Sequence, residues 1–177
     1  MKKFTCLSLL LVLSLLLGSC GLYAAIKEQP EETLLTEVDP PAMQIGNPWQ
    51  DYESLAEAME TAGYPYELPE VIAECKAEVF RVMNGELLEV RYILGDATLT
   101  LRWSAEEDAD ISGVYADFTE TTIADYADGS TSHFRAEDGA ELILFHFTGR
   151  GSWSLYAPAG FPEGVAAVFT EVILERI

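Results

Sequence analysis

Basic side chains are scarce in this chain: among 177 residues, 10 are Lys or Arg against 30 Asp or Glu. Two of the ten, Lys2 and Lys3, lie in the first twenty residues, which hold no acid, so residues 21–177 carry 8 basic and 30 acidic groups, a formal charge of −22. A surface of that sign repels phosphate backbones and anionic headgroups, which excludes electrostatic binding of nucleic acid. Histidine is nearly absent too, with only His133 and His146, so a transition-metal cluster of imidazoles is not expected. The chain also has no Gly-rich phosphate loop, Gly-x-Ser-x-Gly elbow or His-Glu-x-x-His helix.

Cysteine is limited to Cys6, Cys20 and Cys75. The first two belong to a targeting signal. Lys2 and Lys3 precede an apolar run over 9–17, and Leu17-Gly18-Ser19-Cys20 closes it with small residues leading into a thiol. Such a run is too short to span a bilayer and has the anatomy of a secretory signal. Leu-Gly-Ser-Cys resembles the lipobox of bacterial lipoproteins, which implies cleavage before Cys20 and acylation of its thiol. Several acyl chains, at about 0.8 kcal/mol per buried methylene, make a durable anchor. The expected location is therefore the extracytoplasmic face of a bacterial cell membrane, with the membrane as a partner through the N-terminal lipid.

Cys75 is left without an intramolecular disulfide partner. In Cys75-Lys76-Ala77-Glu78-Val79 it alternates with charged residues, so a strand points it inward as a small hydrophobe. Hydrolytic chemistry would need Cys75, His146 and a carboxylate in one open pocket, which nothing in the sequence leads one to expect.

The organisation expected is a signal peptide over 1–19, a lipidated Cys20 with a flexible acidic tether over 20–46, rich in Glu and Pro, and a single domain over 47–177. A helix is expected at 53–62, with Ser54 as N-cap, Glu57 completing a capping box and Gly63 ending it. The period then shifts to two. Asn84-Gly85 predicts a hairpin between 75–83 and 86–94, and strands are expected at 98–104, 119–126, 131–136, 141–148 and 152–157. From Pro162 onward Val165, Val168, Phe169, Val172, Ile173 and Ile177 form a helical stripe. The fold class is thus α+β: a curved antiparallel sheet of about seven strands in a meander, with the N-terminal and C-terminal helices packed on it.

Two surface features are candidate sites. Trp49, Tyr64 and Tyr66 could form an aromatic rim for a ligand or partner, or could fix the tether and first loop to the core. In Glu106-Glu107-Asp108-Ala109-Asp110-Ile111-Ser112-Gly113, Asp108, Asp110 and Ser112 occupy alternating positions of a calcium loop with Gly113 at the sixth. The twelfth position is Thr119, where a bidentate Glu is required, and strand patterns flank the segment, so a solvated acidic turn is the plainer reading and weak calcium binding the alternative.

Gly46-Asn47-Pro48-Trp49, the helix from Glu53 to Gly63-Tyr64-Pro65, Asp110-Ile111-Ser112-Gly113-Val114-Tyr115 and the late Trp153-Ser154-Leu155-Tyr156 are similar to an uncharacterised family of small bacterial lipoproteins. The C-terminal domain of that family is of a DUF type also found in anti-sigma-factor-like and sporulation-associated envelope proteins. The resemblance implies location and fold and brings no activity. The functional expectation is a binding or sensing lipoprotein without enzymatic activity or cofactor, taking a protein or a small apolar ligand. A calcium-responsive interaction module is the second reading, a hydrolase the third.

Overall fold

The computed structural model describes residues 47–176, which fall within one compact unit, Ile45–Ile177. Cys20, the signal peptide and the tether lie outside the described residues. Among the described residues no helix is long and apolar enough to cross a membrane.

The fold is α+β, an open antiparallel sheet with two helices. In chain order the elements are β1 (Trp49–Tyr52), α1 (Leu55–Ala62), β2 (Val71–Ile72), β3 (Cys75–Met83), β4 (Leu87–Leu94), β5 (Ala97–Ser104), β6 (Phe118–Tyr126), β7 (Gly129–Ala136), β8 (Glu141–Phe147), β9 (Gly151–Ala157) and α2 (Val165–Arg176). The strands run β1-β3-β4-β5-β9-β8-β7-β6 across the sheet, with β2 also on β3. The count is nine where about seven were expected, because β1 and β2 are too short to show a period. The order also departs from a simple meander. Residues 105–117 carry the chain from β5 out to the far edge, and β6 to β9 then return strand by strand until β9 pairs with β5.

Alternation gives the sheet two unlike faces. The first carries Leu88, Val90 and Tyr92 of β4, Leu99, Leu101 and Trp103 of β5, and Trp153 and Leu155 of β9, all at most 3 % exposed. Both helices pack here. Ser54 accepts from the Glu57 amide at 3.3 Å and Gly63 closes α1 in the left-handed region, as the capping pattern requires. α1 buries Leu55, Ala58 and Ala62, whereas α2 buries the i, i+4, i+8 row Val165, Phe169 and Ile173. The Phe169 ring meets Tyr92 edge-on at 5.0 Å. Of the other positions expected in the stripe, Val172 is partly buried against the core, Val168 is 38 % exposed because it lies off the row that faces the sheet centre, and Ile177 lies outside the described residues.

The second face carries Arg81, Glu89, Arg102 and Ser154 in one cross-strand row. The 105–117 segment folds back over it. The Arg102 guanidinium donates to the Ile111 and Ser112 carbonyls, and Ser152 Oγ accepts from the Ala109 amide at 3.3 Å. Gly113 sits against Arg102 Nη1 with φ +61°, a close approach that a Cβ would obstruct.

Candidate functional site

A groove of about 630 Å³ opens on the helix-bearing face, between α2 and the outer strands β7 and β8. Its origin lies in residue size. α2 is anchored over the sheet centre by Val165, Phe169 and Ile173, and the flank turned toward β8 carries Ala166 and Thr170, too small to close the gap. Ile143 and His133 contribute the sheet side, Leu174 adds apolar surface, and Glu171 and Glu175 line the helix side. The result is an apolar trough with carboxylates on one wall, the usual composition of a ligand site in which a few polar groups set orientation.

His133 forms the polar end of the trough. Its Nε2 lies 2.7 Å from Glu141 Oε2, and the Arg135 guanidinium approaches the same oxygen at 3.5 Å. The Phe161 ring stands edge-on to His133 with centroids 6.1 Å apart. His133 is half-buried, because β7 turns its side chain to the face that carries α2.

The aromatic candidates separate. Tyr64 and Tyr66 meet at 5.6 Å and pack on the helix-bearing face, Tyr64 against Trp103 at 5.1 Å and Tyr66 against Trp153 at 5.8 Å. Burial pushes the Tyr64 hydroxyl up to about 12. Trp49 lies on the opposite face in β1, over the guanidinium groups of Arg81 at 4.9 Å and Arg102 at 5.4 Å. A single rim does not contain all three.

In the acidic segment, Asp110 Oδ1 accepts from the Ser112 amide at 3.0 Å and from the Ser112 hydroxyl at 2.6 Å, and Ser112 Oγ accepts from the Val114 amide. Asp108 is exposed, with φ 56°, and Glu107 Oε1 accepts from the Gly149 amide at 2.7 Å. Among the described residues no three His, Cys, Asp or Glu side chains are grouped to hold a metal ion.

Cys75 is fully buried on the helix-bearing face, and His146 lies on the other, 3.4 Å from Ser152 Oγ. Burial raises the Cys75 thiol above its ordinary value.

One polar cluster was not anticipated. Glu89 is completely buried at the middle of β4, yet its carboxylate accepts from three arginines. Arg81 on β3 and Arg102 on β5 flank it in register, and Arg91 reaches it along the same strand at 3.0 Å. Burial alone would raise the Glu89 carboxyl, but hydrogen bonds and charge from Arg81 and Arg102 outweigh this and hold it below the usual range. The sequence signal for the cluster is the single acid flanked by arginines on successive strands, readable only once the hairpin register is known.

No family model matches the chain, and no curated protein or solved structure matches it.

Proposed function

We propose that this protein is a membrane-anchored, extracytoplasmic bacterial lipoprotein of binding or sensing type, without enzymatic activity, and that the trough beneath α2 takes an apolar group of a ligand or partner. The observation that carries the reading is the unfilled space of about 630 Å³ between Ile143, Ala166 and Leu174, walled by Glu171 and Glu175. Water in such a trough has few polar partners, so its release favours an apolar occupant. The carboxylates disfavour an anionic head, which leaves neutral or cationic amphiphiles, or an apolar side chain of a partner. The motif at Leu17-Gly18-Ser19-Cys20, the acidic and Pro-rich stretch behind it and the resemblance to small bacterial lipoproteins support the location.

The test uses the chain from Gly21 onward and the neutral apolar dye N-phenyl-1-naphthylamine. Saturable enhancement of dye emission is expected, and Ala167→Trp, an exposed position on the trough wall, should weaken it at least about tenfold without lowering the melting temperature. Equal dye binding by both proteins would remove the reading.

A further inference from the structure

β6 (Phe118–Tyr126) is the last strand of the sheet and pairs with β7 alone among the described residues. It is nine residues long, and eight of them are exposed. At about 3.3 Å per residue it presents an edge of roughly 30 Å whose outward backbone N–H and C=O groups have no ladder partner. Proteins usually shorten or cover such an edge. The opposite edge is so treated, since β1 has only four residues. Of the large apolar side chains most exposed in the domain, Ile123 at 62 %, Tyr126 at 41 % and Tyr115 at 102 % lie on β6 or just before it.

The charges around β6 indicate what it would accept. Glu120 and Asp125 lie within it and Asp117 and Asp128 bracket it. Arg135 is paired with Glu120 at 3.3 Å and Arg150 with Asp128 at 2.9 Å, so four carboxylates face two guanidinium groups and the edge stays acidic at Asp117 and Asp125. Antiparallel pairing with a second copy lays the Asp117 and Glu120 end of one strand against the Asp125 and Asp128 end of the other, a repulsive arrangement. The chain's own residues 21–46 carry five carboxylates and one lysine, again the wrong sign.

We propose that β6 is a docking strand for an extended, basic polypeptide segment, which adds to the sheet by main-chain hydrogen bonding, its side chains on one face of the sheet meeting Ile123 and Asp125 and those on the other meeting Tyr126 and Glu120, so that each face offers one apolar and one acidic contact. The repulsion that disfavours self-pairing is what selects this partner. The site is separate from the trough and does not depend on its occupant.

The experiment uses the full chain in non-ionic detergent and a fluorescein-labelled nine-residue peptide of the repeat Lys-Lys-Val-Val, which places both residue types on each face of an added strand, followed by anisotropy and by amide hydrogen exchange. Saturable binding is expected, with exchange over 118–126 slowed at least about tenfold. Methylation of alternate peptide amides should abolish both effects on the methylated edge, which a purely electrostatic attraction would not show. Glu120→Lys with Asp125→Lys should weaken binding at least tenfold, while Glu60→Lys with Glu86→Lys, equal in charge and distant from β6, should leave it within about threefold. Absence of saturable binding, indifference to amide methylation, or equal effects of the two charge-reversal pairs overturns the proposal. So does concentration-dependent dimerisation that protects 118–126 without peptide, because the occupant would then be a second copy.

Discussion

Replacing Glu89 by Gln should be among the most damaging conservative substitutions in this domain. The amide keeps the shape of the side chain but removes the one negative charge that Arg81, Arg91 and Arg102 share. The arginine side chains are not equally exposed. Arg81 and Arg102 retain 20 % and 19 % of their surface, so their charges lose a counterion in a poorly solvated place, whereas Arg91 at 38 % can turn to water. Breaking a buried ion pair by removing one partner costs about 3–5 kcal/mol, and an exposed pair less than about 1 kcal/mol. Arg102 keeps its hydrogen bonds to the Ile111 and Ser112 carbonyls, which places the expected loss near the lower end, about 3–4 kcal/mol. For a domain of this size that corresponds to a fall in melting temperature of roughly 10 °C. Urea unfolding of both proteins measures it. A pH series adds a signature that simple mispacking lacks. The Glu89 carboxyl is held below its ordinary value in the folded state, so its stabilisation is present above the unfolded-state value near 4.3 and is lost as pH falls through the folded one. The gap between wild type and Glu89→Gln should therefore narrow in acid. A loss under about 1 kcal/mol at neutral pH, or a gap that does not change with pH, would refute the electrostatic account.

Three further perturbations test the fold. Tyr64 and Tyr92 are raised above the ordinary tyrosine value by burial, Tyr64 to about 12. The unfolded chain loses these protons near 10 while the folded one retains them, so stability should fall by about 1.4 kcal/mol per pH unit per group above pH 10, with Tyr64→Phe flattening the slope in urea titrations. The β2–β3 turn uses Ala73 at φ 49° and Glu74 at φ 66°, where side chains are strained, so Ala73→Asn with Glu74→Gly should raise the urea midpoint by the equivalent of about 1–2 kcal/mol. Ser54→Ala removes the hydroxyl that caps α1 and should cost about 1 kcal/mol in the same assay.

The local devices of the fold were legible in the sequence because each has a mechanism confined to a few residues. The Ser54 cap, the Gly63 stop, the inward Cys75 and seven of the nine strands appear near their expected places. What escaped depended on register and on the order of strands. Asn84-Gly85 suggested a two-residue loop, yet β3 and β4 are joined by three residues, with Met83 opposite Leu87. That extra residue puts Arg81 opposite Glu89, where a two-residue loop would have set it against Leu88 on the other face of the sheet. The arginine cluster was thus invisible without the loop length. The trough was hidden for a related reason: helical spacing identifies the apolar stripe of α2 but not which flank meets β8, and Ala166 and Thr170 matter only because they face Ile143. The placement of β9 beside β5 likewise depends on the path of 105–117, a stretch with no period of its own.

The most direct test of the account is dye titration of the chain from Gly21 with N-phenyl-1-naphthylamine, alongside Ala167→Trp and a Glu171→Lys with Glu175→Lys variant. The trough reading predicts one saturable site that Ala167→Trp closes and that the charge reversal leaves open to the neutral dye while admitting its anionic sulfonate analogue. Dye binding that ignores Ala167→Trp, or no binding by the wild-type chain, would contradict it.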